Sequence, residues 1–226
     1  MLFYVDGKKE RYNPYNMKKD KKIGEGQEVD AYVVGDQVVK FYKPYCKKIR
    51  LSLNDVERLK KISTSRILLP TASMLDKKRN LRGYKMDYIE NLGEDSFLLL
   101  PKEERKEELK KLKEDVLNLS DNGVILEDLH QLNTVYHNGI YFIDPGSYKF
   151  VKDDKLTEND KIQCYGINVD RINEFLISSL SHFSLVKHTN ITNSYLKSEK
   201  DNMIDYLFDR EENTLKDYVD NMSKKR

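Results

Sequence analysis

The stretch "DLHQLNTVYHNGIYFIDPGS", residues 128–147, decides how the rest of the chain is read. It carries Asp128 and Asp144, with Asn133 five places after the first. Val135 and Tyr136 form a short β-type run, and Asn138-Gly139 is a hairpin turn signal. Tyr141 to Ile143 is the returning run, and Pro145-Gly146 breaks it. A tight hairpin is therefore expected between two polar loops, with carboxylates and a carboxamide gathered at its flanks.

Composition limits what those groups can do. A chain of 226 residues holds one large domain or two small lobes, enough to bury a real core. Forty Lys and Arg face 38 Asp and Glu, a net charge of only +2, which argues against the strongly basic footprint of a nucleic-acid binder. No apolar run reaches the length of a membrane span, and "MLFYVDGKKE" lacks the apolar centre of a signal peptide. Cys46 and Cys164 make no metal or redox spacing. The expectation is a cytoplasmic protein with reduced thiols and neither a membrane nor a nucleic acid as partner.

The pattern changes near residue 92. Before it, short β-type runs dominate ("AYVV", "QVVKFY", "RILLP", "LRGYKMDYI"), with one amphipathic piece, "LNDVERLKKI". "GDQ" joins the first two runs and "DKKRN" the last two. After it, Pro101 suits a first helical turn, Leu109, Leu112, Val116 and Leu119 share a face, and Asn122-Gly123 supplies the stop. Val169, Ile172, Leu176 and Leu180 repeat the helical spacing, and weaker patterns run through 195–209 and 212–223. The charge run "PKEERKEELKKLKED" reads as a solvated helix face. The expected domains are a sheet-rich lobe over 1–90 and a helical lobe over 91–226, with "MDYIENLGED" as the hinge.

Chemistry enters the first lobe through "IGEGQEVDAYVVGDQVVKFYK". Gly24 and Gly26 at a strand end let backbone amides approach a polyphosphate, although an ordinary hairpin turn also uses such glycines. Alternation puts Val39 and Phe41 on one face of their strand and Val38, Lys40 and Tyr42 on the other. Lys40 is either an exposed strand lysine or a phosphate-holding one restrained by an acid. Seventeen residues later, Glu57 sits beside Val56 at the edge of the face formed by Val56, Leu59 and Ile62. Glu57 is the candidate acid, with Asp55 as its competitor.

In this order the pieces resemble the protein-kinase-like superfamily. There a glycine-rich loop covers ATP, a strand lysine pairs with a helix glutamate, a catalytic loop runs D-x-x-x-x-N, and a D-F-G aspartate binds magnesium. The matching residues here are Gly24 and Gly26, Lys40, Glu57, Asp128 with Asn133, and Asp144 in "DPG". The resemblance implies an α+β bilobal fold, with an antiparallel β-sheet N-lobe bearing one helix and a small, mainly helical C-lobe. It implies ATP and Mg2+ as cofactors, Asn133 and Asp144 as metal ligands, and Asp128 as the group that accepts the proton of a substrate hydroxyl. Met86 would be the gatekeeper, with the Asp87 carbonyl and the Ile89 peptide groups facing adenine. Asp170 would be the acid that braces the catalytic loop from a long central helix.

The chain departs from the protein-kinase pattern as well. The third loop glycine is replaced near Val29, "LED" stands for His-Arg-Asp and "DPG" for Asp-Phe-Gly. His130 occupies a position where many protein kinases have lysine, and "DLHQLN" also resembles aminoglycoside and choline kinases. His130 is either a hydrogen-bond donor in the transition state or a solvated loop histidine. His137, His182 and His188 make no metal-ligand spacing. The reading is a kinase acting on protein Ser/Thr hydroxyls; the alternatives are a small-molecule kinase and a nucleotide-binding pseudokinase that serves as an interaction module. Glu127 stands where phosphorylation-switched kinases carry a phosphate-binding arginine, so no such switch is expected. Lys149, Lys152 and Lys155 lie on the segment after "DPG" and are expected not to anchor it.

Overall fold

The computed structural model describes residues 2–12, 22–26, 28–45, 51–151 and 156–186. Cys46, His188, Lys152, Lys155 and the helical patterns over 195–209 and 212–223 lie outside them. The chain divides into two compact units, one of residues 1–63, 68–90 and 143–147, the other of 64–67, 91–142 and 148–226.

The first unit is built on an antiparallel sheet. Its strands are β1 (Leu2–Val5), β2 (Lys8–Arg11), β3 (Lys22–Glu25), β4 (Val29–Val34), β5 (Gln37–Tyr42), β6 (Ala72–Leu75) and β7 (Leu81–Asp87). These seven strands lie in the order β2-β1-β6-β7-β5-β4-β3. β5 lies inside the sheet between β7 and β4, and its four consecutive residues Val38, Val39, Lys40 and Phe41 are buried. Val39 and Phe41 enter a cluster with Phe3, Val5, Tyr32, Ala72 and Met74. The Phe41 ring lies 5.5 Å from that of Phe3 and 5.9 Å from those of Tyr12 and Tyr32, tilted or edge-on as aromatic quadrupoles prefer. One helix, α1 (Leu53–Leu59), belongs to this unit; Ser52 and Asp55 cap it reciprocally, and Val56 and Leu59 are fully buried.

Two features of the sheet differ from the sequence reading. The β1–β2 hairpin was not among the expected runs, yet Asp6-Gly7, both at positive φ, form a two-residue turn with Val5 opposite Lys8. Buried Lys85 of β7 holds it by donating to Glu10 Oε2 at 2.8 Å. "RILLP" is not a strand either; β6 follows it, and Ile67 makes only an isolated parallel bridge to Phe142. The reason is the buried Asp115 carboxylate, which accepts the backbone N–H groups of Ser65, Arg66 and Ile67. Donors spent on a carboxylate are not free for a ladder.

The second unit contains α2 (Asp95–Leu98), α3 (Lys102–Asp121) and α4 (Glu158–Val186). Leu109, Leu112, Val116 and Leu119 of α3 are buried, as are Cys164, Tyr165, Ile172, Phe175 and Leu176 of α4. Asn122 ends α3, and Gly123 follows at φ +64. Short strands complete the unit: β8 (Val124–Ile125) with β11 (Lys149–Phe150), and β9 (Thr134–Tyr136) with β10 (Ile140–Phe142). The β9–β10 hairpin turns through Asn138 at φ 49 and sets Thr134 opposite Phe142. Phe142 packs edge-on against Phe175 of α4, centroids 5.0 Å apart. No helix among the described residues is long and apolar enough to cross a membrane.

Gly83 shows how tightly β5 and β7 approach. A Cβ there would lie 2.0 Å from the Lys40 carbonyl oxygen and 3.2 Å from Phe41 Cα, both backbone atoms with nowhere to turn. Gly83→Ala is expected to lower unfolding free energy by about 2 kcal/mol or more, as forced overpacking does. Urea denaturation of the variant checks this; a wild-type midpoint would mean that the strands separate at no cost.

Candidate functional site

The first unit places Lys40 and Asp144 in direct contact. Lys40 projects from β5 with its side chain 10% exposed, and Nζ lies 2.8 Å from Asp144 Oδ1. The same ammonium donates to the Ile143 carbonyl at 2.8 Å and lies 5.8 Å from the Tyr84 ring centroid. A buried cation demands such partners, because an unpaired one costs several kcal/mol. Asp144 Oδ2 accepts no hydrogen bond among the described residues, so one carboxylate oxygen remains open to a cation.

The expected pair of Lys40 with Glu57 is not formed. Glu57 instead accepts from Lys60, three residues on, at 3.0 and 3.1 Å, and Lys60 also reaches Asp6 at 2.7 Å. The competitor Asp55 is spent on capping Ser52. Local spacing decides this outcome: an i,i+3 partner on one helix needs no tertiary ordering.

Gly24 and Gly26 lie on β3 and just after it, where Gly26 N donates to Val29 O at 2.8 Å. Neither has positive φ, and an added Cβ would meet only Ala31 Cβ at 3.6 Å or Val29 O at 3.4 Å. The fold therefore tolerates a side chain at both positions, and the Gly26 amide is already bonded within the β3–β4 hairpin. Glu25 and Asp30 beside them are neutralised by Lys22 and Lys43, at 2.7 to 3.6 Å. The bond from Lys22 holds the Glu25 carboxyl below the usual carboxylate range. Met86 is buried on β7, opposite Val38. Asp87 is exposed at the end of β7, and the peptide groups of Ile89 make no hydrogen bond among the described residues, which leaves them free for a polar ring edge.

The second unit carries the loop of Asp128, His130 and Asn133. Asp128 has φ 59, the left-handed region that a non-glycine residue enters at a cost of order 1–3 kcal/mol. Asn133 Nδ2 donates to the Asp128 carbonyl at 3.0 Å and so holds this conformation. His130 is exposed but not free: Nδ1 accepts from Leu132 N at 3.2 Å, Nε2 lies 3.1 Å from Asn133 Nδ2, and its carbonyl takes Asn133 N and Thr134 Oγ1. His130 Nε2 lies 3.4 Å from Asp128 Oδ1, and both side chains are about half exposed (45% and 51%). A cavity of about 720 Å³ is lined by Asp128, Leu129, His130, Leu132 and, from α4, Arg171 and Phe175, among others.

Asp170, the expected brace, is exposed on α4; Asn168 does that work. It is fully buried, its Oδ1 accepts Leu126 N at 2.7 Å, and its Nδ2 donates to Val124 O and Ser120 Oγ at 2.9 and 3.0 Å. Both polar atoms of the amide are thus used, Oδ1 on the chain two residues before Asp128 and Nδ2 on Val124 and the end of α3. A sequence signal existed, since Asn168 interrupts the apolar series Cys164, Ile172 and Leu176 at helical spacing. Asp115 hides equally well inside the charged run of α3, where burial pushes its carboxyl up against the opposing pull of its backbone donors.

In the first unit Asp144 keeps one carboxylate oxygen unbonded, and in the second Asn133, whose nitrogen is engaged, keeps Oδ1; each by itself is a hard oxygen donor of the kind magnesium takes. Among the described residues no group of three or more His, Cys, Asp or Glu side chains could hold a metal by itself. No protein-family model matches the chain, and no curated protein does.

Two outcomes follow from these contacts. In a stability double-mutant cycle, Lys40→Met and Asp144→Asn should couple by about 1 kcal/mol, whereas Lys40→Met and Glu57→Ala should add; the reverse pattern would restore the Lys40–Glu57 pair. Asn168→Ala should cost roughly 2–4 kcal/mol by leaving buried donors and acceptors unmet, while Asp170→Ala stays within about 0.5 kcal/mol. Chemical denaturation of both variants reads the difference.

Proposed function

We propose that the protein is an ATP- and Mg2+-dependent phosphotransferase of the protein-kinase-like superfamily, moving the γ-phosphate to a Ser/Thr hydroxyl of a protein. On this reading the sheet unit is the nucleotide-binding lobe and the helical unit the catalytic lobe of a bilobal α+β fold. The observation that carries it is the contact of buried Lys40 with Asp144, 104 residues away in the chain. A lysine that only decorates a strand has no reason to be buried and aimed at the one carboxylate of "DPG".

The chain's own groups then divide the work. Gly24 and Gly26, without side chains, let the phosphates approach the β3–β4 turn closely, Lys40 supplies their counter-charge, and the free peptide groups of Ile89 meet the adenine edge. Asp144 and Asn133 are the oxygen donors for magnesium, which neutralises phosphate charge when bound. Asp128, held by Asn133 through its carbonyl, accepts the proton of the attacking hydroxyl and orients it. The cavity beside Asp128 favours a second reading: its volume lies within the range of about 300–1,000 Å³ usual for small-molecule sites, which suits a small hydroxylated acceptor.

Purified protein should bind ATP more tightly with magnesium than without, and label from γ-labelled ATP should pass to a protein in a cell lysate. Asp144→Asn and Lys40→Met should each lower turnover by about 100-fold or more while unfolding stays cooperative. Asp128→Ala should retain ATP binding and lose transfer. Absence of magnesium-dependent ATP binding at millimolar concentrations overturns the proposal; label passing only to a small molecule decides for the second reading.

A further inference from the structure

The segment that follows Asp144 is strapped to the strand that leads into Asp128. β11 pairs antiparallel with β8, Lys149 opposite Ile125 and Phe150 opposite Val124, and Val151 N donates to Gly123 O at 2.9 Å. Tyr148 is buried at the start of the strap. Past residues 152–155, Leu156 lies so close over Gly123 that an added Cβ would come within 2.6 Å of its Cδ2. Thr157 and Asp160 then cap the start of α4, each side chain bonded to the other's backbone N–H.

Across this ladder Lys149 Nζ meets Glu127 Oε1 at 2.5 Å. Glu127 lies two residues past Ile125, just beyond the end of β8, within reach of the long side chain of Lys149 opposite Ile125. The expectation that Lys149 cannot anchor its segment is therefore wrong: the anchor is reversed in sign, with the acid on the catalytic-loop side and the cation on the segment. An arginine at residue 127 would need an added phosphate to make this contact; a glutamate makes it with an unmodified lysine. Tyr148 and Tyr165 are 5% and 2% exposed, so neither hydroxyl is open to a modifying enzyme in the folded chain.

We infer that the Glu127–Lys149 pair is a built-in, charge-reversed clamp that orders the segment after Asp144 without phosphorylation, and that both are positioning residues for the loop of Asp128. Its consequence for turnover rests on the phosphotransferase reading; its consequence for order does not. Because Lys149 is 67% exposed and Glu127 25%, the effect of the pair is moderate and weakens with salt.

The test compares phosphatase-treated wild type, Glu127→Lys, Lys149→Glu, the double exchange and Lys149→Arg. Amide hydrogen exchange of residues 149–151 and steady-state phosphate transfer are measured on each full chain. Each single reversal should speed exchange about two- to five-fold or more and lower kcat with KM for ATP unchanged. The double exchange and Lys149→Arg should return both readings to within about two-fold of wild type. Additive losses in the double exchange, or unaltered exchange in the single variants, overturn the clamp, as does wild-type activity lost on dephosphorylation and restored by preincubation with ATP. Exchange that follows the expected pattern in a protein that transfers no phosphate upholds the clamp and sinks the phosphotransferase reading instead.

Discussion

The buried ammonium of Lys40 ties the sheet to a distant stretch of chain. Lys40 sits in an interior strand, where little water reaches it, and its charge must be met largely by protein. Asp144 Oδ1 and the Ile143 carbonyl meet it, which is why residues 143–147 belong with the sheet although the chain around them does not. The height of the amine is set by β5, and β5 is set by the Phe41 cluster on one face and the missing Cβ of Gly83 beside it. Core packing, strand spacing and the site charge are thus one connected constraint.

The helical unit is organised by polar atoms placed on otherwise apolar helix faces. Asp115 of α3 gathers three consecutive N–H groups of residues 65–67, and Asn168 of α4 takes the Leu126 N–H. Each is a buried group whose cost is offset only because its bonding is complete. The loop carrying Asp128 therefore rests on a rigid amide, and its left-handed aspartate is kept in place by Asn133. Strain at one residue persists where its surroundings over-determine it, and such residues gather at functional sites.

Much of the architecture was legible because it rests on local periodicity. The 3.6-residue spacing of Leu109, Leu112, Val116 and Leu119 became the buried face of α3, Asn122-Gly123 its end, and Asn138-Gly139 the β9–β10 turn. The reading failed in two opposite ways. "RILLP" has strand composition, but its Arg66 and Ile67 donors go to a tertiary partner, Asp115; Glu57 was expected to reach a tertiary partner, Lys40, and takes the local Lys60 instead. The Asp6-Gly7 turn is a local signal too, an Asp-Gly pair between two short strands.

For the candidate site, residue type and order are written in the chain: Gly24, Gly26, Lys40, Asp128, Asn133 and Asp144 are hard-oxygen, amine and open-backbone chemistry at recognisable spacings. Pairing is not, because it depends on which groups lose their water together. That Lys40 is buried, that Asp144 answers it, that Asn168 rather than Asp170 supports the Asp128 loop and that Lys149 reaches Glu127 are all products of packing. Sequence spacing counts residues along one chain, whereas a buried charge or amide selects its partner by distance and desolvation, and only the folded structure sets those.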